Sequence, residues 1–209
     1  MARQLGAAMR VLRGGGIVAF PTDTVYGLGC NALNSVAVVR VFEIKRRPRH
    51  MALPVLISDI GQLPGVARVV PETARLLAER FWPGGLTLVL PRTDSIPNIV
   101  TARSDRVGIR VPAHSVPVFL ARAMGAPLVG TSANVSGLPS CRTAEEVRTQ
   151  LGTEVDMIVD GGESPGGVES TVVDFKDDFP VITREGAVSK EQIWLLLRQS
   201  GFGHYSTVQ

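Results

Sequence analysis

Ile17-Val18-Ala19-Phe20-Pro21-Thr22-Asp23-Thr24-Val25-Tyr26-Gly27-Leu28 is the stretch from which the architecture is read. Its four leading apolar residues form a strand pattern without polar alternation, as in strands buried on both faces, and Pro21 ends it. Three hydroxyls and a carboxylate follow at once. At the end of a buried strand such groups can close a turn through side-chain-to-backbone bonds. They can equally line a pocket at the sheet edge, where open α/β sheets bind ligands. The residues alone leave both readings open.

Working outward, Leu5, Met9 and Leu12 share one face of a helix that Gly14, Gly15 and Gly16 stop. After the quoted stretch, Val36, Val39 and Phe42 mark a second helix that runs into Lys45, Arg46 and Arg47 and halts at Pro48. Leu53–Ile57 reads as a strand, and Pro71 suits the first turn of a helix carrying Leu76, Leu77 and Phe81. Strands follow at Leu86–Leu90 and Val107–Val111, then a helix from Ser115 and a strand at Pro127–Gly130. Thr143 with Glu146, and Ser189 with Gln192, match capping boxes, so helices start there. Extended runs fall at Met157–Val159, Ser170–Asp174 and Val181–Thr183. This order predicts one α/β domain over residues 1–209, built on a single twisted, mixed sheet with helices against it.

The composition agrees. A chain of 209 residues with 44% hydrophobic side chains and a formal net charge of +3 has the apolar content for a sizeable core. So small a positive charge permits an anionic partner without demanding one. Cys30 and Cys141 lie outside any CxxC pair and read as reduced, small apolar residues. No secretory signal and no run near ~18 apolar residues is present, which predicts a soluble, cytoplasmic protein without membrane contact.

Three further polar clusters interrupt apolar runs. Lys45-Arg46-Arg47-Pro48-Arg49-His50 is either a solvated helix end or a phosphate-holding edge. Thr131-Ser132-Ala133-Asn134-Val135-Ser136-Gly137 poses the same choice between turn and pocket. Glu169-Ser170-Thr171-Val172-Val173-Asp174 follows the glycine-rich 160–167 segment, whose glycines allow either a mobile loop or close backbone approach to a ligand. Arg110, inside the apolar strand, needs an anionic partner, from the protein or from a ligand. GxxxxGK[ST], GxGxxG and HExxH are missing, the GxSxG string at 162–166 lies inside the glycine-rich segment and forms no strand-to-helix elbow, and His50, His114 and His204 have no metal-ligand spacing. Cations and hydroxyls at strand ends suit a nucleotide and a small polar acid, with positioning and charge neutralisation as the means of catalysis.

Taken together, PTDTVYGL, KRRP, VGIRVP, TSANVSG and ESTVVD occur in this order from about Ile17 to Ala187. This resembles the YrdC family of threonylcarbamoyl-adenylate synthases. The resemblance implies a twisted α/β sheet with a basic concave cavity, and a reaction joining L-threonine, bicarbonate or CO2, and ATP, with Mg2+ accompanying the nucleotide. It implies catalytic roles for Lys45 and Arg47, L-threonine contacts from Thr24, Arg110, Ser132 and Ser170, and ATP contacts from Lys45, Arg47, Asn134, Arg142 and Arg184. No protein-held metal is implied. The partners implied are a downstream tRNA threonylcarbamoyl transferase and, as the alternative reading, double-stranded RNA or tRNA bound directly. The chain departs from the family at Ala52-Leu53, at Gly84-Gly85, and at Leu56, where longer members place a histidine. Arg110 is expected to be paired by the threonine carboxylate and partly uncompensated without it.

Overall fold

The computed structural model describes residues 1–176 and 178–202; His204 lies outside the described residues. In chain order the elements are α1 (Ala2–Arg13), β1 (Val18–Phe20), β2 (Gly27–Gly29), α2 (Ser35–Ile44), β3 (Val55–Leu56), α3 (Glu72–Phe81), β4 (Leu86–Pro91) and β5 (Arg106–Arg110). They continue as α4 (Ser115–Met124), β6 (Leu128–Val129), β7 (Thr131–Ser132), α5 (Ala144–Leu151), β8 (Met157–Ile158), β9 (Thr171–Lys176), β10 (Phe179–Arg184) and α6 (Lys190–Gln199).

The helix boundaries follow from local chemistry. Thr143 and Ser189 both form complete capping boxes with Glu146 and Gln192. Asn34 caps α2 through Val36 N and Ala37 N. Pro71 is the residue before α3 and not its first turn. At the other end of α2, Arg46 N donates to Glu43 O and Arg47 N to Phe42 O, both at 2.9 Å, with Arg46 at φ 50°. This is the paired-bond stop in which a left-handed residue turns the chain out of the helix. It is why Lys45 and Arg47, two positions apart, leave α2 in different directions.

The strands form two sheets, where the sequence pattern predicts one. A four-stranded sheet has the order β7-β2-β1-β8, and a six-stranded sheet the order β10-β9-β4-β5-β3-β6. Both are mixed: β1 pairs β8, β3 pairs β5 and β4 pairs β9 in parallel, and the remaining pairs are antiparallel. The second sheet is hidden from sequence reasoning because β2 is Gly27-Leu28-Gly29 and β7 is Thr131-Ser132. Neither short segment has the β-branched alternation that marks a strand. The Ile17–Phe20 run is fully buried, as its unbroken apolar pattern requires.

One large core lies under α2, α3, α5 and α6, and a smaller one joins Ala8, Met9 and Leu12 of α1 to Val116, Leu120 and Ala121 of α4. Cys30 and Cys141 are free and buried, and burial pushes their thiols up to about 12 and about 11. They are inert packing residues. No helix among the described residues is long and apolar enough to cross a membrane.

The two sheets are stitched where β2 runs out beside β6: Val129 N donates to Cys30 O at 2.9 Å and Ala32 N to Pro127 O at 3.0 Å. Gly29 makes this approach possible, since a Cβ there would lie 2.4 Å from Val129 O. The obstacle is backbone and cannot swing aside. Gly29→Ala is therefore expected to destabilise the fold by about 1–3 kcal/mol, the usual range for overpacking. Urea denaturation measures it, and an unchanged midpoint would show that the sheets can part at this seam.

Candidate functional site

Between the sheets lies a polar cavity of about 130 Å3 whose lining includes Thr24, Arg47, Leu56, Thr87, Arg110, Ser132, Glu169, Ser170 and Arg184. Six of the residues singled out from sequence thus meet in one place. Lys45, Asn134 and Arg142 are not on its wall. A larger concavity, about 720 Å3, opens elsewhere between Arg49, His50, Asn98 and Arg103, but these four side chains are all exposed. Convergent, half-buried polar groups mark the smaller cavity as the site.

The loop between β1 and β2 settles the choice between turn and pocket by dividing the work. Thr22 makes the turn: its hydroxyl donates to Val25 O at 2.6 Å and accepts from Thr24 N at 3.1 Å. Thr24, two residues on, lines the cavity. The glycine-rich segment packs directly on this loop. Gly167 N donates to Thr24 O at 2.8 Å, and a Cβ on Gly166 would stand 2.7 Å from Asp23 O. Tyr26 Oη donates to Gly162 O at 2.7 Å. Gly166 is thus spent on close backbone approach, while Gly162 and Gly167 take positive φ of 85° and 67°.

Arg110 corrects an expectation. Its guanidinium is compensated by the protein itself: Nη2 donates to Asp23 Oδ1 at 2.7 Å, Nη1 to Thr24 Oγ1 at 3.0 Å and Nε to Gly84 O at 2.8 Å. Asp23 Oδ1 also accepts from Ala113 N at 3.0 Å. The acidic partner comes from a loop 87 residues away and not from the strand, so inspection of neighbouring strand positions could not find it. A guanidinium has five N–H donors, of which three are used here, so Arg110 keeps two for a ligand.

Lys45 is neither solvated nor on the cavity wall. It is 2% exposed, and its Nζ donates to Ser132 O, to Asn134 O at 2.7 Å and to Asn134 Oδ1 at 3.1 Å. Burial, with the Arg47 charge beside it, pulls the ammonium down to about 8. The Glu169 charge works in the opposite sense, and the three acceptors match the ammonium, which has three donors and no acceptor. Asn134 is consumed as well, with Nδ2 donating to Val135 O at 3.1 Å and Leu138 O at 2.6 Å. Lys45 and Asn134 therefore fix the loop that presents Ser132.

The remaining cations differ in what they hold. Arg184 pairs with Glu169 and donates to Ser170 O through Nε and Nη2 at 3.1 and 2.9 Å. Arg142 is exposed and paired with Glu163 at 2.8 Å. Arg47 bonds only carbonyls, Met51 O at 3.1 Å and Ala52 O at 2.9 Å. Among the described residues it is the cavity's guanidinium without a carboxylate partner. Ser170 shares a hydrogen bond with Thr87 at 2.8 Å, and Leu56 lines the wall. Thr87 and Glu169 went unassigned in the sequence, although Thr87 is the lone hydroxyl of the apolar β4 and Glu169 opens the last polar cluster.

The Lys45 clamp has a direct consequence. Replacing Lys45 by Met keeps the stem and takes the ammonium from Asn134 O and Asn134 Oδ1, while Ser132 O keeps Asn134 N at 3.0 Å, so Lys45→Met should cost about 1–3 kcal/mol of stability. Chemical denaturation measures it; a loss within ~0.3 kcal/mol would mean that the ammonium is solvated after all.

Comparison with known proteins places this geometry. The Sua5/YciO/YrdC family, described as "Telomere recombination", matches residues 10–186. The threonylcarbamoyl-AMP synthase of Bacillus subtilis is 47% identical over 191 residues, 91% of this chain and 55% of that protein. Its counterpart from Pyrococcus abyssi is 45% identical over 182 residues, 87% of this chain and 54% of that protein. The crystal structure of Pyrococcus abyssi Sua5 complexed with L-threonine superposes with a TM-score of 0.90 at 43% identity, covering 92% of this chain and 57% of that one. The chain spans about half the length of these relatives. It belongs to the Sua5/YciO/YrdC family.

Proposed function

We propose that this chain makes threonylcarbamoyl-AMP and pyrophosphate from L-threonine, bicarbonate or CO2, and ATP. The observation that carries the reading is the cavity between the sheets, where Arg47, Arg110 and Arg184 meet the hydroxyls of Thr24, Thr87, Ser132 and Ser170. Support comes from the likeness to a relative whose structure holds L-threonine and to relatives named as the synthase.

The size of the cavity divides the substrates. About 130 Å3 is well below the ~300–1,000 Å3 of drug-sized sites and suits one small amino acid. The nucleotide must then lie at the mouth, towards Arg47 and Arg184. In the proposed reaction the threonine ammonium releases a proton to solvent, the amine adds to bicarbonate with loss of water, and an oxygen of the resulting carbamate attacks the α-phosphate of ATP and expels pyrophosphate. Such a displacement needs an aligned nucleophile and cations near the phosphates. Arg110 and the hydroxyls position the acid, Arg47 and Arg184 face the phosphate charge, and Lys45 with Asn134 keeps Ser132 in place. Among the described residues no three His, Cys, Asp or Glu side chains come together. Mg2+ arriving with ATP would add charge neutralisation at the phosphates, the ion's common habit with nucleotides. Transfer of the product to tRNA by a separate transferase completes the proposed role.

Pyrophosphate release from ATP tests the reading. It should require both L-threonine and bicarbonate, and turnover indifferent to either would refute it. In the same assay Arg47→Ala should weaken ATP binding about 10-fold or more, the scale of a lost hydrogen bond to a charged group. Its unfolding free energy should change by no more than about 1 kcal/mol, because the guanidinium holds only two exposed carbonyls. Wild-type ATP affinity in that variant would return Arg47 to a solvated helix end.

A further inference from the structure

Three of the charged side chains lining the cavity are guanidinium groups, and the negative side rests on one residue. Glu169 is the carboxylate on the wall, while Asp23 is absent from it and its Oδ1 is taken by Arg110 and Ala113. An α-amino acid carries an ammonium on the carbon next to its carboxylate. An ammonium placed among guanidinium groups without an anionic acceptor loses its hydration and meets like charge.

Glu169 is built for that post. Oε1 accepts from Ser140 Oγ at 3.0 Å, Oε2 holds Arg184 Nη1, and the main-chain carbonyl accepts from Ala187 N at 2.9 Å. Two carboxylate oxygens offer about four acceptor sites, so acceptor capacity is left over. The side chain is 35% exposed, which leaves it reachable from the cavity's opening. Burial pushes its carboxyl up, but Arg184, the hydroxyls of Ser140 and Ser132 and the Lys45 charge outweigh that and hold it below its usual range. It stays ionised, a carboxylate able to accept hydrogen bonds from a nitrogen.

We infer that Glu169 receives the ammonium of the amino-acid substrate and thereby selects α-amino acids over hydroxy acids of the same shape. The inference rests on the proposed function for the identity of the acid. Calorimetric binding of L-threonine and of 3-hydroxybutyrate, which keeps the carboxylate and hydroxyl and lacks the nitrogen, tests it in wild type, Glu169→Gln and Glu169→Asp. Wild type should prefer threonine. Glu169→Gln should weaken threonine about 10- to 100-fold, the range for a hydrogen bond to a charged group, and leave 3-hydroxybutyrate unchanged or tighter. Glu169→Asp, which keeps the charge, should retain most of the preference. Equal weakening of both ligands, or a Gln variant that does not fold, would show that Glu169 only props Arg184 and would overturn the inference. So would wild-type threonine affinity in Glu169→Gln. A wild-type protein that binds no threonine would instead refute the function on which the inference rests.

Discussion

Arg110 reaches out of β5, in the six-stranded sheet, and takes hold of Asp23 and Thr24 in the β1–β2 loop of the four-stranded sheet. A third bond, to Gly84 O, ties in the turn before β4. Both charges are largely out of water, with side chains 9% and 16% exposed. A buried pair of this kind gains little net energy over an apolar one, yet removing one partner strands the other. Its consequence is spatial. Two sheets that would otherwise close on apolar side chains are held with charged and hydroxyl groups between them, and the space left is the cavity.

The other polar contacts extend that arrangement outward. Lys45, fully buried, sets the Ser132–Asn134 loop on one side, and the glycine-rich segment lies on the backbone of Thr24 on another. Further out, Glu169 joins Arg184 to Ser140, and Arg47 is tied only to carbonyls. The cations differ in what they have committed: Lys45 spends its donors on the Ser132–Asn134 loop, Arg110 keeps two, and Arg47 is tied only to two carbonyls. Under the proposed function, the small acid would take the interior and the phosphate the donors that Arg47 leaves unspent.

Much of this was legible in the sequence, and the exceptions have physical causes. The capping boxes at Thr143 and Ser189 and the buried run at Ile17–Phe20 are local signals, and the structure repeats them. The second sheet was not legible, because Gly27–Gly29 and Thr131–Ser132 acquire strand geometry only by pairing with one another and with β1. The family motifs picked out Thr24, Arg110, Ser132 and Ser170 without saying how they are held. Asp23 was in plain sight inside the first motif. Its partnership with Arg110 depends on two sheets meeting, and no spacing along the chain encodes that.

A double-mutant cycle on Arg110 and Asp23 bears most directly on this account. Unfolding free energies of wild type, Arg110→Ala, Asp23→Ala and the double variant give the coupling between them. If the pair spans and spaces the sheets, each single variant loses about 3–5 kcal/mol and the double variant loses little more than either, a coupling of roughly 2 kcal/mol or above. Losses that simply add, to within about 0.5 kcal/mol, would mean that the two side chains act independently and that something else holds the cavity open.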